Sequence, residues 1–139
     1  MNTIAPWLIA ASAGIVLVLG ALHLLYTFHG SKLLPRDAEL QARMQAVSPV
    51  ITRQTTMWKT WIGFNASHSG GLILFGAVYG YLALAQSEVL FHSPFLLALG
   101  LAALLGWVWL ARAYFFRIPL VGVALATLLY GLALLFSRV

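Results

Sequence analysis

Two histidines, an asparagine and a pair of serines are the side chains that could do chemistry within the apolar runs of this sequence: His23, and Asn65, Ser67, His68 and Ser69 inside the stretch 58–71. Imidazole exchanges a proton near neutral pH and is a common ligand of metals and of haem iron. An amide both donates and accepts. Trp61, Asn65 and His68 recur at spacings of four and three, which puts them on one face of a helix, continued by Leu72, Phe75 and Tyr79. Gly63, Ser67 and Gly71 form a second stripe roughly opposite, suited to close approach of a neighbouring helix. Ser67-His68-Ser69 holds the residue types of nucleophilic catalysis without its geometry, because adjacent helix residues diverge by about 100°.

The elements that must carry these residues follow from composition. The chain has 139 residues, of which 62% are hydrophobic and 8% charged, with a mean hydropathy of +0.93. Soluble domains are about a quarter charged. An integral membrane protein is implied, and at roughly 20 apolar residues per crossing the length accommodates four helices. Without cysteine there is no disulfide, thiolate nucleophile or cysteine metal site. The net charge of +5 comes with no long basic run, so nucleic acid is not an expected partner. No Walker loop, dinucleotide fingerprint or paired carboxylate is present. The only acids, Asp37, Glu39 and Glu88, lie outside the apolar runs, which argues against a proton pump built on membrane carboxylates.

The pattern predicts an all-α, integral membrane four-helix bundle, a single transmembrane domain over 1–139. Its helices fall at about 7–28, 58–86, 94–112 and 118–137, with a cytoplasmic loop at about 30–57. The first helix is expected to be retained, since Met1 to Pro6 contains no Lys or Arg to form the charged region of a cleavable signal. Gly14 and Gly20 suit close helix contact there. In the loop, Pro35-Arg36-Asp37 reads as a turn and cap, followed by Leu40, Met44 and Val47 on one apolar face. This short amphipathic helix either lies in the headgroup region, with Lys32, Arg36 and Arg43 on lipid phosphates, or is a solvated linker. Ser48-Pro49 offers a further cap from which the second long helix could already start. Ser93-Pro94 opens the third, and the short connection through Arg117 makes the third and fourth antiparallel neighbours.

Five cations lie between the first two helices (Lys32, Arg36, Arg43, Arg53, Lys59), none between the second and third, and two between the last pair (Arg112, Arg117). The positive-inside rule puts both basic loops in the cytoplasm and both termini outside, with Arg138 as a lone dissent. His29 is expected among headgroups and His92 in an exposed turn, while Trp107 and Trp109 suit an interfacial belt. No internal repeat is convincing.

Measured from that basic side, Asn65 lies roughly 6 Å and His68 roughly 10 Å deep, and His23, seven residues before Gly30 on the antiparallel helix, reaches a similar depth. The imidazoles could face each other. A polar group in hydrocarbon needs partners, so these residues should point into the bundle. Three uses compete: interhelical hydrogen bonds that fix helix pairing; a small-ligand or lipid site formed by His23, Tyr26, Thr27, Trp61, Asn65 and His68, with Trp58 beside it; or haem held axially by His23 and His68. Two histidines without an acid make a poor dedicated zinc or di-iron site.

Leu24-Leu25-Tyr26-Thr27-Phe28, Lys32-Leu33, Pro35-Arg36-Asp37, Thr56-Met57-Trp58-Lys59 and above all Trp61-Ile62-Gly63-Phe64-Asn65-Ala66-Ser67-His68-Ser69 resemble a family of small bacterial four-helix integral membrane proteins carrying a W-x-G-F-N-A-S-H-S motif and no assigned function. The resemblance covers most of the chain. It implies a multi-pass protein of the bacterial inner membrane and brings no cofactor or catalytic residue with it. The functional expectation is a non-enzymatic protein that binds a lipid or small hydrophobic ligand, or an accessory subunit of a larger membrane complex. The alternative is a small haem-binding electron carrier or oxidoreductase, so whether the chain is an enzyme stays open.

Overall fold

A computed structural model describes residues 4–137. Met1, Asn2 and Thr3 of the charge-free N-terminal stretch, and the dissenting Arg138 with Val139, lie outside the described residues. The described chain is all-α: α1 (Ile4–Phe28), α2 (Ala38–Ala46), α3 (Met57–Ala85), α4 (Ser87–Phe91), α5 (Pro94–Tyr114) and α6 (Arg117–Phe136). Four of these, α1, α3, α5 and α6, are long and apolar enough to cross a membrane.

Local chemistry explains the boundaries. Gly30, with φ +83°, supplies the left-handed turn that follows α1. Asp37 caps α2, its Oδ1 accepting from the amides of Glu39 (2.9 Å) and Leu40 (3.4 Å). α3 does not start at Ser48-Pro49. The amide of Thr52 instead bonds the Pro49 carbonyl at 3.3 Å in a turn, and the β-branched run Val50-Ile51-Thr52 disfavours helix. The working cap is Thr56, whose Oγ1 accepts from the amide of Lys59 at 3.3 Å. Ser93 caps α5 by accepting from Leu96 N at 3.3 Å, with Pro94 in the first turn. The extra helix α4 between α3 and α5 was not legible in the sequence; it buries Leu90 completely.

The chain divides into two compact units, Gly20–Gly71 and the remainder. The larger one holds the apolar core. Ala5, Ile9, Ala13 and Val16 of α1, Leu72, Phe75, Tyr79 and Ala83 of α3, and Ala126, Tyr130 and Ala133 of α6 are all buried at helical spacing. Ser12 is fully buried, and its hydroxyl donates to the Ala126 carbonyl at 2.7 Å, joining α1 to α6. Tyr79 and Tyr130 donate to the carbonyls of Leu96 (2.7 Å) and Leu97 (3.2 Å) at the start of α5. Tyr130 lies late in α6 and Leu97 early in α5, so the two helices run antiparallel. A Cβ on Gly100 would collide with the Tyr130 hydroxyl and come within 2.7 Å of Tyr79 Cε1. On Gly76 it would come within 2.5 Å of Leu17 Cβ and 2.7 Å of the Ala13 carbonyl oxygen.

These close approaches differ from those expected. At Gly14, Gly63 and Gly71 a Cβ would meet nothing within 4 Å, and Gly63, Ser67 and Gly71 form an exposed face of α3. The reason is rotational: the face carrying Asn65, His68 and Ser69 is the more buried one, and the small stripe opposite is turned outward. In the smaller unit, Gly20–Gly71, the end of α1 and the beginning of α3 flank α2 and its loops. None of α2 is buried.

Candidate functional site

All the sequence-predicted site residues lie within Gly20–Gly71. The helical rise places His23 in the last turns of α1, and Trp61, Asn65 and His68 in the first turns of α3. His23 and Asn65 meet: the imidazole Nε2 lies 3.0 Å from the Asn65 Oδ1. The Asn65 Nδ2 is already used, donating to the Trp61 carbonyl at 2.8 Å. Oδ1 must therefore accept, so His23 carries its proton on Nε2, and in the neutral ring Nδ1 keeps a lone pair. The His68 ring stands edge-to-face against His23, with centroids 5.4 Å apart and planes at 86°.

The neighbouring hydroxyls support the backbone and do not point at the imidazoles. Thr27 is buried and donates to the His23 carbonyl at 2.8 Å. Ser69, fully buried, donates to the Asn65 carbonyl at 2.9 Å, and Ser67 donates to the Phe64 carbonyl at 3.0 Å. Such bonds back to the preceding turn satisfy a hydroxyl at little structural cost. They also remove any basis for a Ser–His nucleophile, since neither serine directs its proton at a base.

The aromatic candidates serve the flanking loop. Trp61 is partly exposed, and its indole N–H donates to the Leu33 carbonyl at 3.3 Å, tying the loop after α1 to α3. Lys32 places its ammonium 4.0 Å from the centroid of the Tyr26 ring, within cation–π range. The partners of these two contacts, a backbone carbonyl and a lysine across the Gly30 turn, leave no periodic signal in a sequence. Arg36 and Arg43 are exposed, as is His29. His92 donates from Nδ1 to the Glu88 carbonyl at 2.8 Å, closing α4.

Chemically, the arrangement brings together two imidazoles and one amide without a carboxylate. No group of three or more His, Cys, Asp or Glu side chains suited to a metal occurs among the described residues. What it offers is a directional donor–acceptor patch: a fixed Nε2–H, an amide engaged once at each end, a lone pair on Nδ1, and a second imidazole packed against the first. Compared with protein-family models, with curated proteins and with solved structures, the chain matches none.

Proposed function

We propose that this chain is a multi-pass protein of the bacterial inner membrane, a single-domain four-helix bundle of α1, α3, α5 and α6 with both termini outside and α2 lying in the headgroup layer. We place it with the small bacterial family that the W-x-G-F-N-A-S-H-S motif resembles. Its role is non-enzymatic: binding of a lipid or small hydrophobic ligand, or service as an accessory subunit of a membrane complex. The topology reading is supported by the side shared by the cation-bearing segments, residues 29–59 and 112–117.

The observation that carries the functional reading is the His23–Asn65 hydrogen bond with His68 set against it. A polar cluster of this kind holds two helices in register and still leaves Nδ1 of His23 to meet a ligand. It has no acid to share a proton with and no activated nucleophile, which favours binding over catalysis. The haem alternative fits less well. Axial imidazoles need two nitrogens about 4 Å apart on one axis, at metal–nitrogen bonds of about 2 Å, with the macrocycle between them. Here one ring's edge meets the other's face, and His23 Nε2 is engaged by Asn65.

Mass spectrometry of protein purified in mild detergent is expected to show a retained small molecule or a co-purifying membrane partner, diminished in Asn65→Leu and Trp61→Ala. Repeated isolation of an empty monomer would sink the reading. A Soret band after haem supplementation, lost in His23→Ala, would replace it with the electron-carrier alternative.

A further inference from the structure

We propose that residues 47–57 form a preformed membrane finger that inserts Val50 and Ile51 into the anionic leaflet from which α1 and α3 emerge. Val50 and Ile51 are 108% and 91% exposed, the barest large apolar side chains among the described residues, and Val47 beside them is also exposed. They are not on a slack loop. The amide of Met57 donates to the Val47 carbonyl at 2.8 Å and staples the base, and the Thr52 amide reaches the Pro49 carbonyl at 3.3 Å across the apex. The Gln54 amide bonds Thr52 Oγ1 at 3.1 Å, and Thr56 caps α3 at the exit. A loop ordered in this way loses little conformational entropy when it docks.

Charge identifies the surface. Arg43 precedes the finger by one helical turn, Arg53 lies within it and Lys59 follows it, all exposed. From Leu40 through Ser87 the sequence contains no acid at all. An apolar apex flanked in sequence by exposed cations matches acyl chains beneath phosphate headgroups. The occupant is also at hand, because the segment between Phe28 and Met57 joins two consecutive membrane-length helices and both its ends must leave the same face of the bilayer. On α2, Leu40 and Met44 share a face with Arg43 at its flank, while Gln45 points away from it; Val47, expected on that face, instead follows the helix as its extended C-cap.

The proposal rests on the membrane-spanning reading of the long helices and is independent of the histidine cluster. Because the chain has no cysteine, Ile51→Cys in the full-length protein takes a single nitroxide label. Power saturation is then measured in phosphatidylcholine vesicles with and without phosphatidylglycerol. With phosphatidylglycerol, the oxygen-to-nickel-chelate accessibility ratio at position 51 should exceed that of labelled Gln45→Cys severalfold. That excess should fall when Arg43→Gln and Arg53→Gln are added. A label open to the nickel chelate in both vesicle types overturns the finger, and so does one shielded from both relaxants, which marks contact with protein. Labelled Leu40→Cys separates the failures: position 40 immersed with position 51 in water sinks the finger alone, whereas both in water sink the headgroup placement of α2 as well.

Discussion

The phenol joint of Tyr79, Tyr130 and Gly100 and the imidazole–amide cluster of His23, Asn65 and His68 are both polar groups set among apolar helices, and they are built in opposite ways. In the first, each hydroxyl finds a backbone carbonyl, the two phenol rings meet edge-to-face with Tyr79 stacked on Phe75, and the space is so full that a single Cβ at Gly100 does not fit. In the second, the side chains are partly buried, His23 bonds Asn65 and meets the His68 ring, and they lie opposite a helix face with open space at Gly63 and Gly71. Polarity alone therefore does not mark a functional group in a membrane helix. A polar atom that ends on a backbone carbonyl in a filled core is packing, whereas one bonded to another side chain near a surface retains a choice of partner.

The comparison is broken most forcefully at Gly100. Gly100→Leu must displace Tyr130 and Tyr79 together, although Tyr79 is backed by Phe75 and both hydroxyls are tied to carbonyls of α5. Overpacking of this kind costs about 1–3 kcal/mol or more. The expected outcome is a marked fall in the midpoint of reversible SDS denaturation, followed by circular dichroism. An unchanged midpoint would mean that the joint is looser than its geometry says.

A smaller effect is expected in the other cluster. A double-mutant cycle of His23→Ala and Asn65→Ala isolates their hydrogen bond, and such interhelical bonds average about 0.6 kcal/mol in membranes, with a maximum of about 1.7. The coupling should fall in that range. A coupling well above it would make the pair a structural keystone and leave little room for a ligand, reversing the contrast with the phenol joint.

Much of this was legible from residue types and spacing, because length, apolar runs and caps are local. The four long helices, the Asp37 and Ser93 caps, the shared face of Asn65, His68, Leu72, Phe75 and Tyr79, and the meeting of His23 and His68 needed only the helical period and rise. The phenol joint was not legible, since the acceptors of Tyr79 and Tyr130 are backbone carbonyls, which every residue has. Gly76 and Gly100 were not distinguishable from Gly63 and Gly71 for a related reason. A glycine shows that close approach is permitted, and only the rotation of its helix decides whether a neighbour takes it up. The finger apex also escaped notice, because Val50 and Ile51 read as ordinary apolar residues until the Met57–Val47 staple exposes them.

The smallest effect is expected where the sequence suggested tight packing. Gly63→Ala and Gly71→Ala add a methyl group on a side of α3 where nothing lies within 4 Å, so the unfolding free energy should fall by less than about 0.5 kcal/mol, as for exposed positions generally. The larger change Gly63→Leu sharpens the test. In an isolated monomer it too should be tolerated, because the added side chain points into open space. If Gly63→Leu leaves the helical content and the midpoint intact but removes a partner that co-purifies with the wild type, the small-residue face is where α3 meets another helix. The accessory reading then gains a surface distinct from the histidine cluster. If the partner stays bound, the association must use another face, and the openness of Gly63, Ser67 and Gly71 reflects only the rotation that turned Asn65 and His68 inward.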